Sequence, residues 1–435
     1  MKQVLVRELQ EYDLRELFGE DYTDDLCNEL YEKSGVIKRR LGLHSDPIQI
    51  QRGNGRRQIK ISSIAGVLSL KHIEIEIMPK FYRDDDLWRE NLFSMILWAN
   101  SGRMEAQSSS SMRYASRNIY DHIGMLYADE LEAAIKKEAV KSYRSIKESS
   151  RFLKGRILVA EELQHILSTP GEVWYERDIL DYENEYNYIF RWCSEFLASH
   201  CRNSLIKSRL RTLMERIPLT HKYYNIPVVS KLPPQYAHFT KALEIANNVA
   251  LGTSMQHSKT GTTGYGYIVA TEVIYEKFIE RILRSLQEYH KEYLSEAQIS
   301  LPFARPMDDV MPTYHTVPDN RLMVKGEAKL LIDAKYKDNF KTGTRKKPVN
   351  SDVYQLFSSM VAHGCEKGIL LSPCDAAEKE DIRYWSIDNN GKQYVMGSLC
   401  VDLSDISNKK TIDSLRQRIL AYVDAIIAKS VSRDE

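Results

Sequence analysis

Between Thr316 and Lys337 the chain reads TVPDNRLMVKGEAKLLIDAKYK, and few structures accommodate that order of residues. Lys325-Gly326-Glu327 is a turn-forming segment, and the apolar run Leu330-Leu331-Ile332 follows it before Asp333-Ala334-Lys335. Two extended segments joined by a glycine-containing turn form a hairpin. Residues two apart in a strand point to the same face, so Asp333 and Lys335 project together. Asp319, beside Pro318 at the start of the preceding strand, reaches the same place from next door.

Two carboxylates and an ammonium at one point suit metal-assisted hydrolysis of a phosphodiester. Hard carboxylate oxygens bind Mg²⁺ through one or two ligands, and the ion polarises a phosphoryl oxygen. The lysine orients the attacking water and stabilises developing charge. An Asp-x-Lys tripeptide is common in any charged chain; its place directly after an apolar run, one hairpin downstream of a Pro-Asp pair, gives it meaning. The arrangement resembles the PD-(D/E)xK nuclease superfamily, with Asp319 and Asp333 as metal ligands and Lys335 as the catalytic lysine.

The flanking segments fit. Upstream, Thr271 to Tyr289 places Ile274, Phe278, Ile282 and Leu286 at helical spacing, with Glu276 and Glu280 four apart on one face. The superfamily's core opens with such a helix, often carrying a Glu that reaches the metal, and Glu276 is the candidate here. Downstream, Ser351 to Ala362 is a second amphipathic helix. Its Tyr354-Gln355 resembles the Tyr-Gln that several of these nucleases place beside the catalytic lysine, which gives Gln355 a positioning role. Lys367 to Ser372 supplies another buried strand. The basic run that follows the Asp-Ala-Lys strand, with Lys337, Lys341, Arg345, Lys346 and Lys347, lies where a DNA backbone would pass.

A chain of 435 residues is too long for one ordinary core. The net charge of +1 says nothing about nucleic acid, so binding has to rest on local patches. Two further patches exist, Lys136 to Arg156 and Lys207 to Arg216, each equally well read as a solvated face. No run approaches the roughly 18 apolar residues of a membrane span, and the charged N-terminus is not a signal peptide. The six cysteines lie far apart without a Cys-x-x-Cys, which argues against zinc and against a disulfide framework. A reducing cytoplasm is the expected setting.

The expected fold class is α/β in the wider sense, a multidomain α+β chain. Residues 1–165 form a mixed β-rich and helical partner-binding region, 166–265 a helical middle with a Gly-rich linker, and 266–435 a restriction-endonuclease-like α/β domain. Within the first region His72 to Met78 alternates isoleucine and glutamate, the mark of a strand with one buried face. The loop Gly252 to Tyr267 lacks the Gly-Lys-Ser/Thr of a phosphate loop, so no nucleotide site is expected.

Taken in order, Ile75 to Lys80 (IEIMPK), Leu153 to Arg156 (LKGR), Glu183-Asn184-Glu185 with Asn187, Tyr275-Glu276, Pro318-Asp319, Asp333 to Lys337 (DAKYK) and Tyr354-Gln355 resemble the McrC family. That family supplies the nuclease subunit of McrBC-type restriction systems, which act on modified DNA. The resemblance implies a McrB-like partner, a hexameric AAA+ GTPase bound through the N-terminal half and stimulated by it. It also implies double-stranded DNA as substrate, Mg²⁺ as cofactor, and GTP or ATP in the partner alone. Two other readings stay open: a non-cleaving activator of the AAA+ motor, and a RecB-like nuclease of another phage-defence or repair assembly.

Overall fold

The computed structural model describes residues 2–53, 56–82, 87–101, 119–136, 138–165, 171–220, 231–253, 267–307, 312–336, 347–374 and 379–429. The N-terminal part holds β1 (Lys2–Arg7), β2 (Glu11–Asp13), α1 (Leu14–Phe18), α2 (Asp24–Leu41), β3 (Ile48–Gly53), β4 (Arg56–Ile61), β5 (Ile64–Ser69), β6 (Ile73–Met78) and α3 (Trp88–Ser101). The middle holds α4 (Ile119–Ile135), β7 (Ser142–Ser150), β8 (Arg156–Ile157), α5 (Val159–His165), β9 (Val173–Asp181), α6 (Glu185–His200), α7 (Ser204–Glu215) and α8 (Thr240–Thr253). The remainder holds β10 (Tyr267–Ala270), α9 (Thr271–Ser285), β11 (Tyr293–Ala297), β12 (Leu301–Ala304), β13 (Tyr314–Thr316), β14 (Asn320–Val324), β15 (Glu327–Ala334), α10 (Asn350–Ala362), β16 (Lys367–Pro373), β17 (Asp381–Asn389), β18 (Lys392–Val401) and α11 (Lys409–Ala428). The mixed α/β class expected from the sequence is what the chain adopts.

By contact these elements form two compact units, residues 1–119 with 252–435 and residues 120–251. The expected boundaries at 165/166 and 265/266 divide the chain differently, and β10 shows why. It pairs antiparallel with β5 and completes a sheet of order β1-β6-β5-β10, so a strand from beyond residue 252 belongs to the N-terminal sheet. Helix α3 likewise turns to the C-terminal part. Its buried Asn91 donates to the Ser404 carbonyl at 2.7 Å and accepts from the Ile406 amide at 3.0 Å. β6 is an inner strand, and both of its faces are covered. Glu76, expected on an exposed face, is instead buried and ion-paired with Arg89 of α3.

The C-terminal sheet runs β11-β14-β15-β16-β18-β17, with β15, β16 and β18 parallel to their neighbours in that series. The expected hairpin is β14 and β15. Its two-residue connection has positive φ at both Lys325 (51°) and Gly326 (85°), the turn that matches strand twist. On one face α10 packs closely over Gly368 of β16, where a Cβ would stand 2.7 Å from the Met360 sulfur and 3.1 Å from Leu356. Leu331, Leu356, Met360, Leu370 and Met396 form the core there. On the other face lies α11, with Ile426 against Gly397. Helix α9 buries Tyr275, Phe278, Ile279, Ile282 and Leu283, a single stripe at helical spacing. Arg416 of α11 fixes the end of α9 through the Ser285 carbonyl at 2.8 Å and Glu288 at 2.6 Å.

The second unit holds α4, α6, α7 and α8 with a small sheet of order β7-β9-β8. Strands β7 and β9 pair over nine residues that no pattern in the sequence marks as strands. Both strands are dense in charge and lack the buried alternation that marks a strand in sequence. Cys374 and Cys400 are paired as a disulfide, with Cα atoms 4.9 Å apart, a single link rather than a framework. They sit at the ends of neighbouring strands but 26 residues apart in sequence, so nothing local signals the pairing. Cys27, Cys193, Cys201 and Cys365 are free and buried. Among the described residues no helix is long and apolar enough to cross a membrane.

Candidate active site

The β14–β15 register pairs Asn320 with Ile332, so one residue further on Asp319 faces Asp333. Ile332 and Leu331 are fully buried and drive Asp333 to the sheet's end with only 2% of its surface exposed. Lys335 leaves the strand with its amide donating to the Leu371 carbonyl of β16 at 2.8 Å. Its ammonium returns to Asp333 Oδ2 at 2.8 Å. Asp319 Oδ2 accepts from the Ala334 amide at 2.7 Å, which locks the two aspartates onto one another. Gln355, from α10, accepts from the Lys335 ammonium at 3.3 Å. The structure therefore brings Asp319, Asp333, Lys335 and Gln355 together.

Electrostatics follow from this crowding. Burial first, then the charges of Asp333 and Glu276, push Asp319 up to about 8. For Lys335 burial pulls downward, but Asp333, Asp319 and Asp352 outweigh it and hold the ammonium above its ordinary range.

Glu276 stands beside this cluster rather than inside it. Its Oε1 accepts from the Gln298 side chain at 2.8 Å, and burial together with the charge of Asp333 raises its pKa. Gln298 also donates its backbone amide to the Asp319 carbonyl at 3.1 Å, with a left-handed φ of 54°. It therefore links Glu276 to Asp319, and nothing in the sequence around Ala297-Gln298-Ile299 points to it. Tyr354 is exposed, and Asp352 on the same helix is buried.

The donor set fits a hard divalent cation. Asp333 Oδ2 has the Lys335 ammonium at 2.8 Å, while its buried Oδ1 has no hydrogen-bond donor among the described residues. A buried acceptor without a donor is costly, and a cation satisfies it. Among the described residues no group of three His, Cys, Asp or Glu side chains is disposed to hold a metal, so Asp319, Asp333 and Glu276 do not form a ready triad. Mg²⁺ needs only one or two carboxylates and fills the rest of its octahedron with water and phosphate oxygens.

Of the expected DNA contacts, Lys347 is exposed just before α10, and Lys337, Lys341, Arg345 and Lys346 lie outside the described residues. The patch at Lys136 to Arg156 is largely neutralised. Arg144 pairs with Asp181 at 2.7 Å, Lys147 with Glu161 at 2.6 Å and Arg156 with Glu176 at 2.6 Å. Arg209, in the patch at Lys207 to Arg216, is bound by Asp129 and Glu132.

Comparison with known proteins places the chain in a family. No curated protein matches the chain. Among solved structures, the half-complex of Thermococcus gammatolerans McrB AAA+ hexamers with bound McrC contains a similar chain at 15% identity and a TM-score of 0.66, covering 97% of this chain and 100% of that one. A second, the McrBC complex of the same organism, matches at 16% identity and a TM-score of 0.46, over 65% of this chain and 87% of that one. Residues 59–373, most of the chain, match the family described as the McrBC 5-methylcytosine restriction system component, and the chain belongs to that family.

Proposed function

We propose that this chain is the Mg²⁺-dependent endonuclease subunit of its restriction system, cutting 5-methylcytosine-bearing DNA when assembled with a McrB-like AAA+ GTPase hexamer whose hydrolysis it stimulates. The observation that carries this is the half-buried Asp319 beside the buried Asp333, with the Lys335 ammonium 2.8 Å from Asp333. Asp319 and Asp333 would hold the ion, with Glu276 as a further ligand through water. When bound, Mg²⁺ supplies Lewis-acid polarisation of the scissile phosphate. Lys335, kept cationic by the aspartates, stabilises the charge that develops on the phosphoryl oxygens. Gln355 fixes the lysine's direction. Lys337, Lys341, Arg345, Lys346 and Lys347 would neutralise the DNA backbone beyond it.

The partner assignment draws on the fold shared with a chain from an assembly of McrB AAA+ hexamers with bound McrC. It also draws on surface chemistry. The exposed apolar residues Tyr143, Phe152, Leu153, Val159 and Leu163 crowd β7 to α5, within the expected partner-binding region.

Cleavage of methylated plasmid by the assembled complex, with Mg²⁺ and GTP, tests the reading. Asp333→Ala should slow cutting by about 100-fold or more while hydrolysis by the partner persists. Equal cutting by wild type and variant, with hydrolysis stimulated by both, would replace the nuclease reading with the non-cleaving activator.

A further inference from the structure

Behind the candidate site, on the N-terminal sheet, sits a carboxylate that the chemistry above does not use. Glu8 follows β1 and is 2% exposed. It accepts hydrogen bonds from the Tyr336 hydroxyl and from the Thr271 hydroxyl, the latter at 2.8 Å. Tyr336 is the residue after Lys335. Thr271 opens α9, the helix that carries Glu276 five residues later. The backbone of Glu8 is itself fixed, its amide donating to the Met78 carbonyl of β6 at 2.9 Å. The Tyr336 ring is wedged in place by Phe81, edge-on at 5.6 Å, by Tyr275 at 5.8 Å and by the Lys80 ammonium at 4.7 Å over its face.

We infer that Glu8 is a positioning residue for the nuclease site, tying to β1 both the segment that carries Lys335 and the first turn of the helix that carries Glu276. The inference rests on the nuclease reading above. Its physical ground is that one carboxylate accepts from hydroxyls on two segments far apart in sequence, and so fixes both at one point. Burial pushes Glu8 up to about 7, so the node is held at a cost in desolvation that its two hydroxyl donors partly offset. Positional errors near 1 Å at such a site cost on the order of 100-fold in rate.

The test uses the complete chain in complex with its AAA+ partner, and two variants that keep side-chain volume, Glu8→Gln and Tyr336→Phe. Two quantities are read: the single-turnover cutting rate on methylated plasmid, and Mn²⁺ affinity by titration calorimetry. Each variant should cut about tenfold more slowly and bind Mn²⁺ about tenfold more weakly at unchanged stoichiometry. The double variant should be no worse than the poorer single, because Tyr336→Phe removes one of the two hydroxyl bonds that Glu8→Gln already disturbs. A purely structural role would instead lower the stoichiometry through lost folded protein and leave affinity unmoved, and that result overturns the inference. So do wild-type rate and affinity in both variants, or losses that multiply in the double variant. Asp333→Ala is run alongside. If it still cuts, the nuclease reading falls and this inference with it; if it is dead while Glu8→Gln and Tyr336→Phe cut normally, only the positioning role is wrong.

Discussion

Asp319 makes the candidate site sensitive to pH in a direction that can be worked out. Its folded-state pKa, about 8, lies above its ordinary value of 3.8, so the protonated carboxyl is favoured by the fold. Without a divalent cation, that contribution is fully present below about pH 4 and is lost as pH rises through 8. The thermal midpoint of the metal-free protein should therefore fall between pH 5 and 8, and Mg²⁺ should restore it most at the alkaline end. Asp319→Asn, which removes the charge while keeping the Ala334 amide's acceptor, should raise the midpoint at pH 8 without metal by roughly 2 to 4 °C. It should also abolish the response to Mg²⁺; scanning calorimetry in EDTA and in Mg²⁺ measures both. At this scale the sequence is informative wherever contacts are local. The β14–β15 hairpin and its two-residue turn can be read from spacing alone, whereas the one-residue bulge at Lys329 that moves Asp319 from opposite Ile332 to opposite Asp333 cannot. Gln298 and Glu8 could not be read so, since Glu8 lies 328 residues from the hydroxyl it accepts.

At the scale of elements, the site depends on how closely α10 lies on β16. Gly368 permits that approach, and Gln355 reaches Lys335 only because the helix is held there. Gly368→Val would place methyl groups where the Met360 sulfur and Leu356 now stand, in a core without slack. Overpacking of this kind costs about 1 to 3 kcal/mol. The variant should unfold at lower denaturant concentration and, in the folded fraction, cut more slowly because Gln355 has moved away from Lys335. Restoring wild-type cutting by Gly368→Val/Met360→Ala would identify the helix shift as the cause. Elements with a buried stripe or a buried run were legible in sequence: α9, α10, β6 and β16 all lie where periodicity puts them. β7, β9 and β17 were not. Their burial alternates weakly, and β7 and β9 are knit by cross-strand pairs such as Arg144–Asp181 and Arg177–Glu148, which look in sequence like ordinary surface charge.

For the molecule as a whole, the division of contacts predicts how the chain can be cut. A sequence reading isolates residues 266–435 as a free-standing nuclease domain, since the Gly-rich stretch before it resembles a linker. Yet β10 lends its hydrogen bonds to β5, Asn91 of α3 holds the loop at Ser404 to Ile406, and Glu8 holds Thr271 and Tyr336. Removal of residues 1–119 would leave β10 without β5, its paired strand among the described residues, uncover the apolar stripe of α9 where α3 packs, and take Glu8 from the Tyr336 hydroxyl. Each uncovered large apolar side chain costs about 1.5 to 3 kcal/mol, and a few of them equal the stability of an ordinary domain. A fragment spanning 266–435 should therefore lack a cooperative thermal transition or aggregate. Residues 1–119 co-expressed with 252–435 should co-purify and melt cooperatively, whether or not 120–251 is supplied. A fragment of 266–435 that melts as sharply and as late as the intact chain would show that the C-terminal sheet needs none of these contacts, and would return the domain boundary to the Gly-rich stretch where the sequence suggests it.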